Sequence, residues 1–492
     1  MNLHQLCIPV LLGGAVLGAQ AIPARPEQVP VKPLQFTVPK TAPYTAKLKN
    51  GIPVFIAPDP GGVPFIRLTL SFRGGAYLEP QGKPGFANIF DQVWRQGGTR
   101  QLPSEKLNER LSFLVTNFQA SLGSTAGSLN IRLMENDLNE GLDLFMEILR
   151  EPAFEQAKLD QAKQETLQFL EGLNDSAGMI GGYQLGYLIN GEGHFTTQRT
   201  TAASIKSITR EDLLAFHAQI LHPENMAITI SGKFERKAML ALLDRTLGAF
   251  KAAATARVSP PVPAPTQVRK PGIYVVDKAV SQAAVSLTGP GLRRSDPDWH
   301  AVMVMNKLLG GGFNSRLMKK IRSDEGLTYG IGTGFGDGTY WRGDWSCNFS
   351  TKNASVAYAL KLALAEFENM KKLPPTEEEL KNIKETILNA FPIGWSNPHS
   401  VVTHFTNEYL QGKPADWYQD YQAKVQAVTA ADVVRVAQKY LDPSQLIVVI
   451  VGKAAELEQG DEKDHPGLLK DVTPLPLVHL PLRDPLTLKP LK

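Results

Sequence analysis

Ser207-Ile-Thr-Arg-Glu-Asp-Leu-Leu214 and Ala427-Val-Thr-Ala-Ala-Asp-Val-Val434 carry one pattern twice, 220 residues apart. The match continues without a gap through His222-Pro-Glu-Asn-Met-Ala-Ile-Thr-Ile-Ser-Gly-Lys233. Its counterpart is Asp442-Pro-Ser-Gln-Leu-Ile-Val-Val-Ile-Val-Gly-Lys453. A helix begun by a Thr209 cap and a strand over Met226–Gly232 account for the first copy. An ordered series of this length means that one structural unit occurs twice.

The flanking sequence supports the duplication. Pro271-Gly-Ile-Tyr-Val-Val-Asp277 echoes Asn50-Gly-Ile-Pro-Val-Phe-Ile56. Strands are expected over residues 51–59, 65–72 and 126–134, with helices over residues 84–96, 103–114, 138–150 and 154–173. A strand over 345–350 and helices over 356–373 and 375–390 repeat the last part of that series. Between the copies, Ala252–Lys270 is rich in proline and reads as a semi-extended linker, a candidate hinge. The expected fold is therefore α+β. It has two homologous lobes, each an antiparallel sheet packed with helices on one side. The lobes span residues 45–250 and 272–460, joined by a linker over 251–271 and followed by a Pro-rich tail over 461–492.

The chain has 492 residues, 43% hydrophobic and 20% charged, with a net charge of +4. That is an ordinary globular composition, too long for a single core. Without a basic block it carries no electrostatic footprint for nucleic acid. Residues 1–21 hold no Lys, Arg, Asp or Glu. Their short apolar run, ending in Ala19-Gln20-Ala21, reads as a secretory signal peptide. A Pro-rich arm follows over 22–44. The run is short for a membrane anchor, and no later stretch reads as a stable membrane span. The expected location is outside the cytoplasm, in the periplasm. A mature chain keeps only Cys347, so no intrachain disulfide is available.

The most chemically specific stretch is Gly310-Gly-Gly-Phe-Asn-Ser-Arg-Leu-Met-Lys-Lys-Ile-Arg-Ser-Asp-Glu-Gly-Leu-Thr-Tyr329. A glycine turn opens it, and a helical run with Leu317 and Ile321 on one face follows. Gly326 stands as a C′ glycine, and an alternating strand begins after it. Arg322 and Tyr329 flank this helix-to-strand turn. A guanidinium and a phenol placed together can donate to a peptide carbonyl or a developing oxyanion.

Together, the duplication and this stretch resemble the pitrilysin–insulinase–mitochondrial processing peptidase family of inverted zincins, over roughly residues 45–453. The resemblance implies a zinc motif H-x-x-E-H after Arg73-Gly-Gly-Ala-Tyr-Leu-Glu-Pro-Gln-Gly-Lys-Pro-Gly-Phe-Ala87. The next five residues are instead Asn88-Ile-Phe-Asp-Gln92. Asn88 and Gln92 keep the spacing of two ligands on one helix face, but amides are poor zinc ligands. Asp91 stands in the place of the general base and is one methylene shorter than Glu. Counting 77 residues past Gln92 to the third ligand's place reaches Phe169, beside Glu165 and Glu171. No metal is therefore expected in this chain. His217 and His222, like His399 and His404, are five residues apart and share no helix face.

The resemblance further implies that Arg322 and Tyr329 hold substrate against the zinc site of a first lobe. Kept here without ligands, they point to a metal-free subunit of a heterodimeric zinc endopeptidase. A zinc-bearing paralogous partner and a peptide or unfolded-polypeptide substrate go with that expectation. The alternatives are an inactive scaffold or peptide-binding homologue, and a homodimer using Asn88, Asp91 and Gln92 with another metal.

Overall fold

The computed structural model describes residues 36–336, 338–461 and 463–491. The signal peptide expected over 1–21 and most of the arm over 22–44 lie outside the described residues.

Two six-stranded sheets organise the chain. The first contains β1 (Thr45–Lys47), β2 (Pro53–Pro58), β3 (Phe65–Arg73), β4 (Gln119–Leu122), β5 (Ala126–Met134) and β6 (Met226–Gly232). The second contains β7 (Gly272–Asp277), β8 (Gln282–Pro290), β9 (Ile331–Phe335), β10 (Asp344–Lys352), β11 (Ile447–Gly452) and β12 (Leu477–Leu480). Their orders are β1-β2-β6-β3-β5-β4 and β12-β7-β11-β8-β10-β9. Five strands of each sheet, β2-β6-β3-β5-β4 and β7-β11-β8-β10-β9, correspond one to one, as the repeat requires. Only the outer edge differs: an N-terminal strand closes one sheet and a C-terminal strand the other.

The two-lobed α+β architecture is as expected, with two refinements. Both sheets are mixed, since β2 pairs β6 and β7 pairs β11 in parallel. Each of these pairs is separated in sequence by most of a lobe, which leaves room for the crossover a parallel pair needs. Helices also cover both faces of each sheet. β6 and β11 are buried almost throughout, because a helix from the opposite half lies on the face away from each core. On the second sheet it is the Ala177–Asn190 helix, whose Ile180 and Ile189 cluster with Val449 and Val451. On the first it is the Pro398–Leu410 helix, where Thr406 and Thr229 hydroxyls meet at 2.5 Å.

The repeat also holds at hydrogen-bond level. Thr209 caps the Arg210–Ile220 helix by accepting from the Asp212 N–H, and Asp212 reaches back to the Thr209 N–H. Thr429 and Asp432 do the same for the Ala430–Tyr440 helix.

The linker is not a free hinge. Buried Asn225 donates to the Arg257 carbonyl at 2.9 Å and accepts from the Ser259 N–H at 2.8 Å. Farther along, His194 meets the Pro263 carbonyl and the Val268 N–H donates to Ile189. The tail is docked as well. Beyond β12, Arg483 pairs with Glu192 at 2.6 Å, and the Ala202 N–H donates to the Leu486 carbonyl. Exchanged helices, pinned linker and tail tie the halves together, so residues 38–492 form one compact unit.

Candidate functional site

Asn88, Asp91 and Gln92 project from the Phe86–Gln96 helix, which the core holds by its other face. Phe86, Ile89, Phe90, Val93 and Trp94 are buried, and the Trp94 indole donates to the Ile148 carbonyl at 3.1 Å. At the helix N-terminus the Glu79 carboxylate accepts from the Ala87 N–H at 2.7 Å. Burial pushes Glu79 up to about 7 despite that bond.

The metal-motif positions are occupied by hydrogen bonds. The Gln92 amide donates to Glu165 on the Gln156–Glu171 helix, and Gln161 donates to the other Glu165 oxygen at 2.8 Å. Asp91 accepts from the Leu122 N–H of β4 at 3.2 Å. Burial pushes Asp91 up to about 6. Asn88 is exposed. Phe169, reached by counting along the chain, is not the residue facing Gln92. It lies one helical turn beyond Glu165 and is 60% exposed. A carboxylate, Glu165, therefore stands against Gln92.

This donor set does not fit zinc. It offers two amides and two carboxylates already engaged as acceptors, and no imidazole or thiolate. Among the described residues, no group of three or more His, Cys, Asp or Glu is placed to hold a metal ion.

In the second lobe, the Gly310–Tyr329 stretch folds much as its sequence suggests. The Gly310 carbonyl accepts from the Thr333 N–H at 3.1 Å. A Cβ at Gly310 would stand 2.8 Å from that nitrogen, so only glycine fits. Arg316 makes a two-pronged pair with Glu379 at 3.1 and 3.0 Å, which fixes the start of the helical run. The run over Met318–Asp324 is a π-helix, not the expected α-helix. It closes at Gly326, φ +66°, with the Leu327 N–H reaching back to the Ile321 carbonyl. Arg322 stacks on the exposed ring of Phe313, 4.7 Å from its centroid, a contact that the sequence did not suggest. Tyr329 stands before β9 and is 89% exposed. Among the described residues, no hydrogen bond, ion pair or ring contact joins Arg322 or Tyr329 to Asn88, Asp91 or Gln92.

The other candidates are structural. His217 is buried, its Nε2 lies 2.9 Å from the Leu149 carbonyl, and burial pushes its pKa down to about 4. His399 meets Ser231 and His404 meets the Gly394 carbonyl. Cys347 is fully buried, and its thiol is pushed up to about 12, so it is not a nucleophile.

A family model described as Insulinase (Peptidase family M16) matches residues 60–177, and one described as Peptidase M16 inactive domain matches residues 207–387. The Non-peptidase homolog YmxG of Helicobacter pylori is 24% identical over 391 residues, covering 78% of this chain and 88% of the relative. An uncharacterized zinc protease of Streptomyces coelicolor, SCO5738, is 22% identical, covering 79% of this chain and 90% of the relative. A crystal structure of a peptidase M16 inactive domain from Pseudomonas fluorescens superposes with a TM-score of 0.74. It is 24% identical and covers 83% of this chain and 97% of that one.

Proposed function

The chain belongs to the M16 peptidase family and carries that family's inactive domain, and on that premise we propose that it is the metal-free subunit of a heterodimeric zinc endopeptidase acting in the periplasm. The observation that carries the reading is a mismatch between two half-sites on one chain. The first-lobe site is closed by the Gln92–Glu165 bond and unfit for zinc. The second-lobe pair is presented to solvent, with Tyr329 89% exposed and Arg322 laid over Phe313. An exposed phenol and a guanidinium supported on the same helix-to-strand segment gain a role when another chain brings a reacting carbonyl to them.

In the complex, the partner supplies the zinc and the water that it activates. The Tyr329 hydroxyl donates to the oxygen that gains charge as the scissile carbonyl is attacked. Arg322, fixed by its stack on Phe313, holds the substrate backbone or the phenol. Because the lobes of this chain are locked together by exchanged helices, access for the peptide comes from motion between subunits.

The second reading is an inactive scaffold or peptide-binding homologue without a zinc partner. The relative named as a non-peptidase homologue favours it. Native purification separates the two. Near-stoichiometric recovery of a relative bearing H-x-x-E-H, with peptide hydrolysis that neither chain performs alone, supports the split site. Recovery of this chain without such a relative and without hydrolysis leaves the scaffold.

A further inference from the structure

One face of the first sheet carries a groove lined mainly by cationic and amide side chains. Arg67 of β3 and Arg132 of β5 are directly opposed in the antiparallel ladder. Like charges at opposed positions are destabilising in a sheet. Neither guanidinium has an acidic partner among the described residues, whereas Arg269, Arg316, Arg435 and Arg483 each have one. The Arg132 guanidinium lies over the Phe65 ring, 4.9 Å from its centroid.

The cavity along these residues has a volume of about 390 Å³ and is lined by Arg67, Arg132, His399, Asn117, Gln119 and Asn130, among others, with no carboxylate. A second cavity of about 320 Å³ shares Arg67 and His399 and extends the groove to Asn397 and Pro398, where the overlying helix begins. The one acid along that extension is Asp59. At the other end of this helix, Arg73 donates to the Tyr409 and Leu410 carbonyls, so that cation is satisfied within the fold. Arg67 has no such acceptor. Burial and the neighbouring Arg67 charge hold His399 below the usual histidine range.

We propose that this groove binds an acidic peptide segment, with closely spaced Asp or Glu carboxylates taken by Arg67 and Arg132. Guanidinium forks suit carboxylates, and the surrounding amides supply further donors. Gln119 belongs to β4, the edge strand of the sheet, so the groove borders an edge where an extended chain can add and alternate its side chains. The inference deepens the reading of the chain as a peptide-handling subunit and rests on it. It gives that subunit a preference for acidic substrates.

The test is fluorescence anisotropy on the full chain alone, with no partner present. A labelled extended peptide containing a Glu-x-Glu segment is compared with its Gln-x-Gln analogue. At least tenfold tighter binding of the acidic peptide is expected, weakening as salt rises. In Arg67→Gln/Arg132→Gln the difference between the two peptides disappears, while the thermal unfolding midpoint is no lower than that of the parent, since the opposed charges are relieved. Equal affinity for both peptides, or a preference that survives in the double variant, overturns the proposal. Displacement of the peptide by low-millimolar inorganic phosphate overturns it too and assigns the groove to a free oxyanion. Because no hydrolysis is measured, loss of the split-site reading does not change this readout, and failure here leaves the partner experiment intact.

Discussion

The Gln92 side-chain amide donates to Glu165, a residue 73 positions later in the chain. A relic site would have no need to keep a carboxylate opposite the second ligand position. Restoring the two imidazoles should therefore restore a three-ligand set. In Asn88→His/Gln92→His the rings share a helix face and meet Glu165. The double variant is expected to bind one zinc per chain by calorimetry, where the parent binds none. Adding Glu165→Ala should weaken binding at least tenfold. If it does not, Glu165 is not in the ligand position.

Tyr329→Phe removes one hydroxyl from a side chain that is 89% exposed. The free chain should melt within about 0.5 kcal/mol of the parent, as for most surface changes. In the complex with its zinc-bearing partner, kcat should fall by roughly 10²–10³, the usual cost of one lost oxyanion donor, with assembly unchanged by sedimentation. Unaltered turnover removes Tyr329 from the site.

The duplicated unit was readable because its signals are local. Thr caps and continuous apolar strands such as Ile447–Gly452 recur in register, and both were traceable without knowing the fold. The exchange of helices was not readable. The Ala177–Asn190 helix contains Gly178, Gly181, Gly182 and Gly186, which read against a helix. Gly181 packs on Val451 of β11, a tertiary contact that no local pattern announces. The contact of Glu165 with Gln92 joins two helices 73 residues apart, and no local pattern in the sequence links them. The Arg322–Phe313 stack joins residues nine apart on the C-terminal side of the glycine turn, and no periodic pattern links the two.

Asn225 is the clamp of the linker. Its side chain is 1% exposed and serves the Ile220 and Arg257 carbonyls and the Ser259 N–H. Asn225→Ala takes the Asn225 partner from the Arg257 carbonyl and the Ser259 N–H, while the Ile220 carbonyl keeps the His222 N–H, and an unpaired group costs about 1–3 kcal/mol where it is buried. The variant is expected to lose about 2–4 kcal/mol in urea unfolding, and limited proteolysis should cut first within residues 252–270. A stable variant with an uncut linker would show that the clamp is redundant.

Glu408 supplies the pH prediction. It sits on the Pro398–Leu410 helix, 4% exposed, with neither carboxylate oxygen hydrogen-bonded. Burial pushes it up to about 7, opposed by Lys413 and assisted by Asp416. Its pKa is raised on folding, so the neutral form is the one that the fold favours. That contribution is complete below the unfolded value of 4.5 and is lost as pH rises through about 7. Glu408→Gln keeps the shape without the charge. It should match the parent at pH 4.5 and exceed it by about 3 kcal/mol at pH 8, since each pKa unit is worth about 1.4 kcal/mol and Glu408 is raised from 4.5 to about 7. His217 titrates in the opposite sense, its stability falling away below pH 6.5 towards about 4, and the variant leaves that slope in place. The two unfolding curves should therefore coincide below pH 4.5 and separate between pH 4.5 and about 7, Glu408→Gln being the more stable above that range. Divergence below pH 4.5 would mean that Glu408 is ionised and paired in the folded chain.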